Sequence, residues 1–510
     1  MVSPVPLAPD RHPKMIRAAT PWWVVLVGVL AAIGVGTLSA VNAKAVLALW
    51  IVLIAVTLVA RSWKNPWLAL TVCIALYPII TIARPIYNVY GLPVFNSGVR
   101  CFPELIQCLI LSFLLVRHSL QRTEQTRLKI VGDDLPVVAY LLVAIYSVVI
   151  GCMNAHPLAP LNGWFVSVTP AVFYLIIRWL KPTDAQKNHL IRAVLAVYCV
   201  IAIPSIVDYF VRSDVGILLA NSERPYFVPS PMDWHVYWRI YPRMQSLLWE
   251  ENFFGELSNI VILLIVSYLL YQRGRLTLYL TLMLAVLSLI LTISRGAYMS
   301  LAIGLCVLLL HRSPNRRAVI CSIVVLIVCG AILLSTTIGA PVLFKMTDRL
   351  DTLTMANAES GELTSDRVHH WTRAWRSFLY YPSGTGLGTA GFAAHLSRVA
   401  EHTVGEGIFF RILAEQGILG LLVFVYLLAS IFWILLTYLP VCHIRDRPLG
   451  AAMLAFHTGF VVHSTIASTY DYYFVVPVYW ILIGLFVSRT HQYLDSQRGI
   501  RRIGSLDAAR

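Results

Sequence analysis

The sequence predicts an all-α polytopic membrane protein of about fourteen transmembrane helices, with both termini cytoplasmic and two large loops on the outer face. Three observations predict it. Of 510 residues, 58% are hydrophobic and only 13% charged, with a mean hydropathy of +0.72, far from the composition of water-soluble domains. Apolar runs recur along the chain, each long enough to cross a hydrocarbon core of about 30 Å at about 1.5 Å per residue. The basic residues alternate between successive loops in the pattern that orients membrane proteins. A soluble enzyme held by a single anchor is excluded.

The expected spans are approximately 22–41, 45–60, 66–83, 102–116, 135–151, 164–180, 189–211, 255–271, 276–293, 297–311, 318–339, 417–439, 449–466 and 472–488. Lipid offers the backbone no hydrogen-bonding partner, so each run closes its own hydrogen bonds as a helix. The first follows MVSPVPLAPDRHPKMIRAATPWW, which has basic residues but no small-residue cleavage site, and Lys44 leads directly into the next run. This reads as a retained helix. With the amino end inside, the cytoplasmic segments include RSWK at 61, RHSLQRTEQTRLK at 117, KPTDAQK at 181, QRGR at 272, HRSPNRR at 311, HIRDR at 443 and the carboxyl tail. That allotment puts most of the 40 Lys and Arg inside and most of the 25 Asp and Glu outside. The net charge of +15 is then explained by orientation and by anionic lipid, without nucleic acid.

Two outer segments are long. Residues 212–254 contain RPYFVPSPMDWHVYWRIYPRMQSLLWEEN, and residues 340–416 form the second. Loops of such length are functional or disordered, and the aromatic content argues against disorder. With no internal repeat, residues 1–510 read as a single transmembrane domain with these two elaborations. The nine cysteines are scattered without a CxxC pair, so neither a disulfide framework nor a zinc ribbon is expected.

The second loop holds most of the chemistry-bearing residues. Ser365 is placed to cap a short amphipathic helix in which Val368, Trp371, Trp375 and Phe378 form an apolar stripe, with Arg367 and His370 on another face. Such a helix suits the membrane surface. Arg367 reads either as a surface partner of Asp366 or as a binding residue. His369 and His370 are adjacent and poorly placed to share one metal, so no metal site is expected. Gly384, Gly386, Gly388 and Gly391 include a literal GxGxxG from 386 to 391, but no βαβ unit surrounds it. A flexible turn that lets backbone approach a ligand or a helix closely is the expectation.

Glu406 follows Thr403 by three residues at the head of an apolar run, the pattern of a capping box. A partly desolvated carboxylate there equally suits a general base. His402 and His395 are second choices for that role. Arg295, in TISRGAYMSL, interrupts two apolar runs on the outer side. It is either a snorkelling interface residue or a fixed cation whose guanidinium holds two phosphate oxygens. Arg84, Arg100, Glu104, Asp208, Arg212, Arg243, Glu250, Glu251, His463 and Asp471 also fall near outer ends of spans, which suggests a polar chamber open outward. His457, near the middle of its span, reads as a hydrogen-bonded packing residue.

ISRGAY, DRVHHWTRAW, YPSGTGLGTAGF and EGIFFRILAEQGILGLLVF, in that order, resemble the O-antigen ligase and polymerase superfamily of bacterial envelope glycan synthesis. The resemblance covers roughly residues 250–440. It implies transfer of glycan from a polyprenyl-diphosphate-linked oligosaccharide at the periplasmic face of the inner membrane, with no cofactor and no metal. It also implies that Arg295 and Arg367 hold the donor diphosphate, and that Glu406 is the base. Arg243, His402, His395 and Arg411 are the further substrate-binding candidates. The ligases carry His-Asn ahead of the GILG turn, where this chain has Glu406 and Gly407. Glutamate there is similar to the polymerase branch, so a polymerase is expected, with a ligase as the alternative and a transporter or flippase behind both. Trp234, Tyr237, Trp238 and Trp249 suit sugar-stacking walls or an interface belt. Expected partners are the lipid-linked oligosaccharide, the bilayer, and chain-length or export proteins, for which no docking motif is visible.

Overall fold

The structure is a computed structural model that describes residues 65–75 except 69, 132–154, 158–211, 244, 251–272, 275–310, 362–391, 394, 407–471 except 468, and 474–508. All of these fall within the unit Arg61–Arg510. The described residues are helical, with no strand among them, and five helices are long and apolar enough to cross a membrane. The spans expected at 22–41, 45–60, 102–116 and 318–339, and the loop at 212–254 apart from Met244 and Glu251–Phe254, lie outside the described residues.

The helices are α1 (Leu135–Asn154), α2 (Leu158–Gly163), α3 (Thr169–Leu180), α4 (Asp184–Val211), α5 (Glu251–Tyr271), α6 (Leu276–Thr292), α7 (Arg295–Leu310), α8 (Glu362–Tyr380), α9 (Ile408–Tyr438), α10 (Arg447–Ser464) and α11 (Val475–Ala508). Before them, Pro66–Ala75 is helical within the span expected at 66–83. Most ends fall close to the expected ones, because the apolar runs set them.

The departures have local causes. The span expected at 164–180 is joined to α2 through a π turn at Trp164–Val168. Pro170 has no N–H to continue an α-helical ladder, and the Thr169 N–H and hydroxyl both turn back to the Trp164 carbonyl. Helix α4 starts at Asp184, ahead of the expected 189, on a capping box. The Thr183 N–H donates to Gln186 Oε1 at 2.8 Å and the Gln186 N–H to Thr183 Oγ1 at 3.3 Å. Helix α11 runs twenty residues past the expected end at 488, and ion pairs of Arg489 and His491 hold the first turn of that polar continuation, as described below. Helix α9 is two helices in one, broken at Gly417 with φ 66° and ψ −164°. Its second half matches the expected 417–439 span.

Helix α5 is central and buried along nearly its whole length. It packs on α6, α7 and α10, while α10 also lies along α7, α3 along α11, and α9 against α1 and α8. In lipid there is little hydrophobic gain from joining two apolar helices, so close van der Waals packing at small residues carries the association. A Cβ on Gly459 of α10 would fall 2.2 Å from the Ser300 carbonyl oxygen of α7, and one on Gly255 of α5 would fall 2.7 Å from Ala297 Cβ. The outward faces keep Leu142, Val149, Ile203, Val207, Leu280, Met283, Leu422 and Trp433 exposed, as lipid contact requires.

At the end of the bundle where α4 and α10 begin, charged groups are tied together. Arg178 Nε donates to Asp134 at 3.1 Å, Lys187 Nζ bonds Asp446 and, at 3.2 Å, Asp184, and Arg489 Nη2 reaches Asp184 at 2.8 Å. Asp134, Asp446 and Lys187 are all buried. His491 meets Asp133 at 2.7 Å, and the Tyr438 hydroxyl donates to the same carboxylate.

Candidate functional site

Arg295 is the first residue of α7 and is half-buried. The turn before it is rigid. Ile293 adopts a left-handed conformation with φ 49°, Ser294 Oγ donates to Asn252 Oδ1 at 2.7 Å, and the Tyr298 hydroxyl donates to the Ile290 carbonyl at 2.7 Å. One residue on, Gly296 makes room for His463 from the end of α10: a Cβ there would fall 2.0 Å from His463 Nε2. His463 Nδ1 lies 2.6 Å from Glu256 Oε1, and Ser300 Oγ donates to the other carboxylate oxygen at 3.2 Å. Glu256 is fully buried and His463 nearly so. One carboxylate of α5 thereby ties α7 and α10 together beside Arg295.

The sequence-nominated base, Glu406, lies outside the described residues, as do Arg243, His402 and His395; the side chain of Arg367 does too. Their chain neighbours are placed. Gly407, with φ 84°, is the residue from which α9 starts, and it makes no side-chain cap. The helix begins at Ile408 rather than after Thr403, so the capping box does not start this helix. A Cβ on Gly407 would lie 3.2 Å from the Thr465 carbonyl oxygen and 3.2 Å from Trp371 Nε1. Thr465 follows His463 by two residues, and Trp371 stands one turn after Arg367 on α8. Trp371 stacks on Phe410, with ring centroids 5.3 Å apart and planes 14° apart. The end of α10 is therefore where the start of α7, the start of α9 and α8 meet.

Helix α8 begins at Glu362, before the expected Ser365 cap. Its buried contact differs from the expected stripe: Ala374 is fully buried against Ala390, Ala414 and Phe410, while Trp375 is 50% exposed. A small residue lets α8 approach α9 closely. The exposed Trp375, Leu379 and Tyr380 suit an interfacial position.

The glycine segment is buried and fixed, in contrast to the flexible turn expected. Gly384, Gly386, Gly388 and Gly391 all have positive φ. Glu415 Oε1 accepts the N–H groups of Gly388 at 3.0 Å and Ala390 at 3.1 Å, and the Glu415 carbonyl accepts that of Gly386 at 2.9 Å. Leu387 N–H donates to Ser147 O at 3.0 Å on α1, and Ile418 N–H to Pro382 O at 3.3 Å. The expected substrate-binding Arg411 is 1% exposed and donates through Nη1 to Ser167 Oγ, 3.1 Å away in the π turn. His457 is a packing residue, as expected, bonded to the Tyr479 hydroxyl at 2.6 Å and to the Leu428 carbonyl.

Residues 278–425 match the family model described as O-antigen ligase. This stretch is an O-antigen ligase family domain. No curated protein matches the chain. The O-antigen ligase domain contains Arg295, α8 with Arg367, the glycine segment, and the Glu406–Gly417 stretch. Glu256 and His463 lie on either side of it in the sequence; in space His463 packs on Gly296, next to Arg295, and Glu256 holds His463 there. Sequence reading noted His463 only as one of many outer charges and missed Glu256. The available signal was a carboxylate one turn inside an apolar helix, which needs a partner.

Proposed function

We propose that the chain is a polysaccharide polymerase that joins polyprenyl-diphosphate-linked oligosaccharide repeats at the periplasmic face of the inner membrane, by inverting glycosyl transfer. Glu406 takes the proton of an acceptor sugar hydroxyl. That oxygen attacks the anomeric carbon, a new glycosidic bond forms, and the bond to the diphosphate oxygen breaks with its electron pair leaving on polyprenyl diphosphate. Arg295 and Arg367 meet the charge that develops on the departing group, which is usually the largest stabilising contribution in such a transfer. Arg243 is a weaker candidate for the same task, and His402 and His395 are alternative bases.

The observation that carries this reading is the meeting of three motif segments at the end of α10. Gly407, the neighbour of Glu406, packs on Thr465 and on Trp371 of the Arg367 helix, and His463 packs on Gly296 beside Arg295. Glutamate in place of His-Asn favours the polymerase branch. The O-antigen ligase description of the matched domain favours a second reading, in which glycan passes to a lipid or protein acceptor.

Purified protein supplied with lipid-linked repeat units tests both. We expect a ladder of lengthened lipid-linked glycan, abolished by Glu406→Gln with expression and fold retained. Undiminished polymer from that variant removes Glu406 as the base. Label transferred to another acceptor without lengthening selects the ligase.

A further inference from the structure

A groove of about 450 Å³ opens between α4, α5 and α6. It is far from Arg295: the residues of α5 that floor it, from Leu264 to Tyr268, lie toward the end opposite Glu251 of a helix about 30 Å long. Its rim carries Arg192, Arg275, Asn188 and Gln272, and its floor is apolar, with Leu264 and the ring of Tyr268. The Tyr268 hydroxyl is buried and has no hydrogen-bond partner among the described residues. Below the rim, the apolar faces continue along the flanking helices, with Val200, Ile203 and Val207 of α4 and Tyr279, Leu280 and Met283 of α6 exposed. No acidic residue is among the described residues that line the groove.

We propose that this groove is a binding site for an anionic phospholipid of the inner leaflet, such as phosphatidylglycerol. Two guanidiniums at one end of an apolar cleft match a phosphate head with acyl chains trailing along the bilayer. The flanking basic segments KPTDAQK and QRGR belong to the side that the charge distribution orients toward the cytoplasm, where membrane surface potential is negative. A soluble phosphate would use the arginines and leave the apolar floor exposed; a neutral lipid would use the floor and leave two cations unmatched.

The test uses full-length protein in nanodiscs made from an equal mixture of phosphatidylglycerol and phosphatidylcholine, with retained lipid read by native mass spectrometry. The unmodified protein should retain phosphatidylglycerol in preference. Retention should fall roughly fivefold per arginine removed, about twenty-five-fold in Arg192→Ala/Arg275→Ala, and stay near the original level in Arg192→Lys/Arg275→Lys. Ala196→Trp, which fills the groove and leaves both arginines in place, should also expel the lipid. Size-exclusion profiles establish that each variant is folded, and the lysine pair keeps the test decisive if the alanine pair does not fold. Equal retention of the two lipids, unchanged retention in the alanine pair, or displacement of phosphatidylglycerol by inorganic phosphate at comparable concentration would overturn the proposal.

Discussion

Glu256 and His463 sit where a sequence gives little warning of a pair, being 207 positions apart. Each alone is a charge near the end of an apolar helix; only packing of α5, α7 and α10 puts them 2.6 Å apart. The place of Arg295 between two helices, in contrast, is legible, because SRG between two apolar runs is a local pattern. The pair packs on Gly296 beside Arg295, so under the proposed function we assign it a positioning role. His463→Ala should lower kcat by about a hundredfold, the scale of a 1 Å misplacement, with KM nearly unchanged. Glu256→Gln, which keeps an oxygen for the ring and for Ser300, should lose less. If His463→Ala instead lowers the yield of folded protein while each folded molecule transfers at the original rate, the role is purely structural.

Among the elements, the glycine segment between α8 and α9 shows what pattern reading reaches and where it stops. GxGxxG here has no flanking strand among the described residues, unlike the dinucleotide-binding unit. The literal motif says nothing of Glu415, 24 positions beyond Gly391, whose carboxylate satisfies two of its N–H groups. Close approach here is geometric: a Cβ on Gly388 would lie 1.8 Å from the Ala159 carbonyl oxygen, at φ 80°. Gly388→Ala should therefore cost at least about 3 kcal/mol, from left-handed strain and backbone collision together. Glu415→Ala should cost roughly 2–6 kcal/mol, since two buried N–H groups lose their acceptor. Thermal unfolding in detergent measures both, and near-original stability of either variant would show that the segment relaxes without loss. The break at Gly417 was foreshadowed by the GILG turn. The π turn at Trp164–Val168 was not foreseen, although Thr-Pro at its end is a visible cause.

At the scale of the molecule, hydropathy located the helices among the described residues closely, because lipid permits few alternatives to a closed backbone ladder. Hydropathy does not report how helices pair, and the ion network at the end opposite Arg295 is the clearest example. Lys187, Asp446, Asp184 and Arg489 come from α4, α11 and the turn before α10, and their association anchors α11 where its apolar run ends. Lys187→Met should destabilise by about 3–5 kcal/mol, because buried Asp446 is left with the more distant Arg489. Lys187→Met/Asp446→Leu should recover much of that loss. Equal stability of the single variant and the original protein would mean the network contributes to orientation alone.

The Glu415 carboxylate also bears on what the glycine segment can bind. Backbone amides that converge on one point make an anion receptor, and here the Gly388 and Ala390 amides converge on Glu415 Oε1, an oxygen of the chain itself. A tethered group competes at the effective concentration of an intramolecular partner, whereas a diffusing phosphate competes only at its bulk concentration and must first expel a buried carboxylate. The receptor is in this sense self-inhibited. Under the proposed function, a lipid-linked diphosphate would find these amides already occupied, which leaves the proposed guanidiniums to meet its charge.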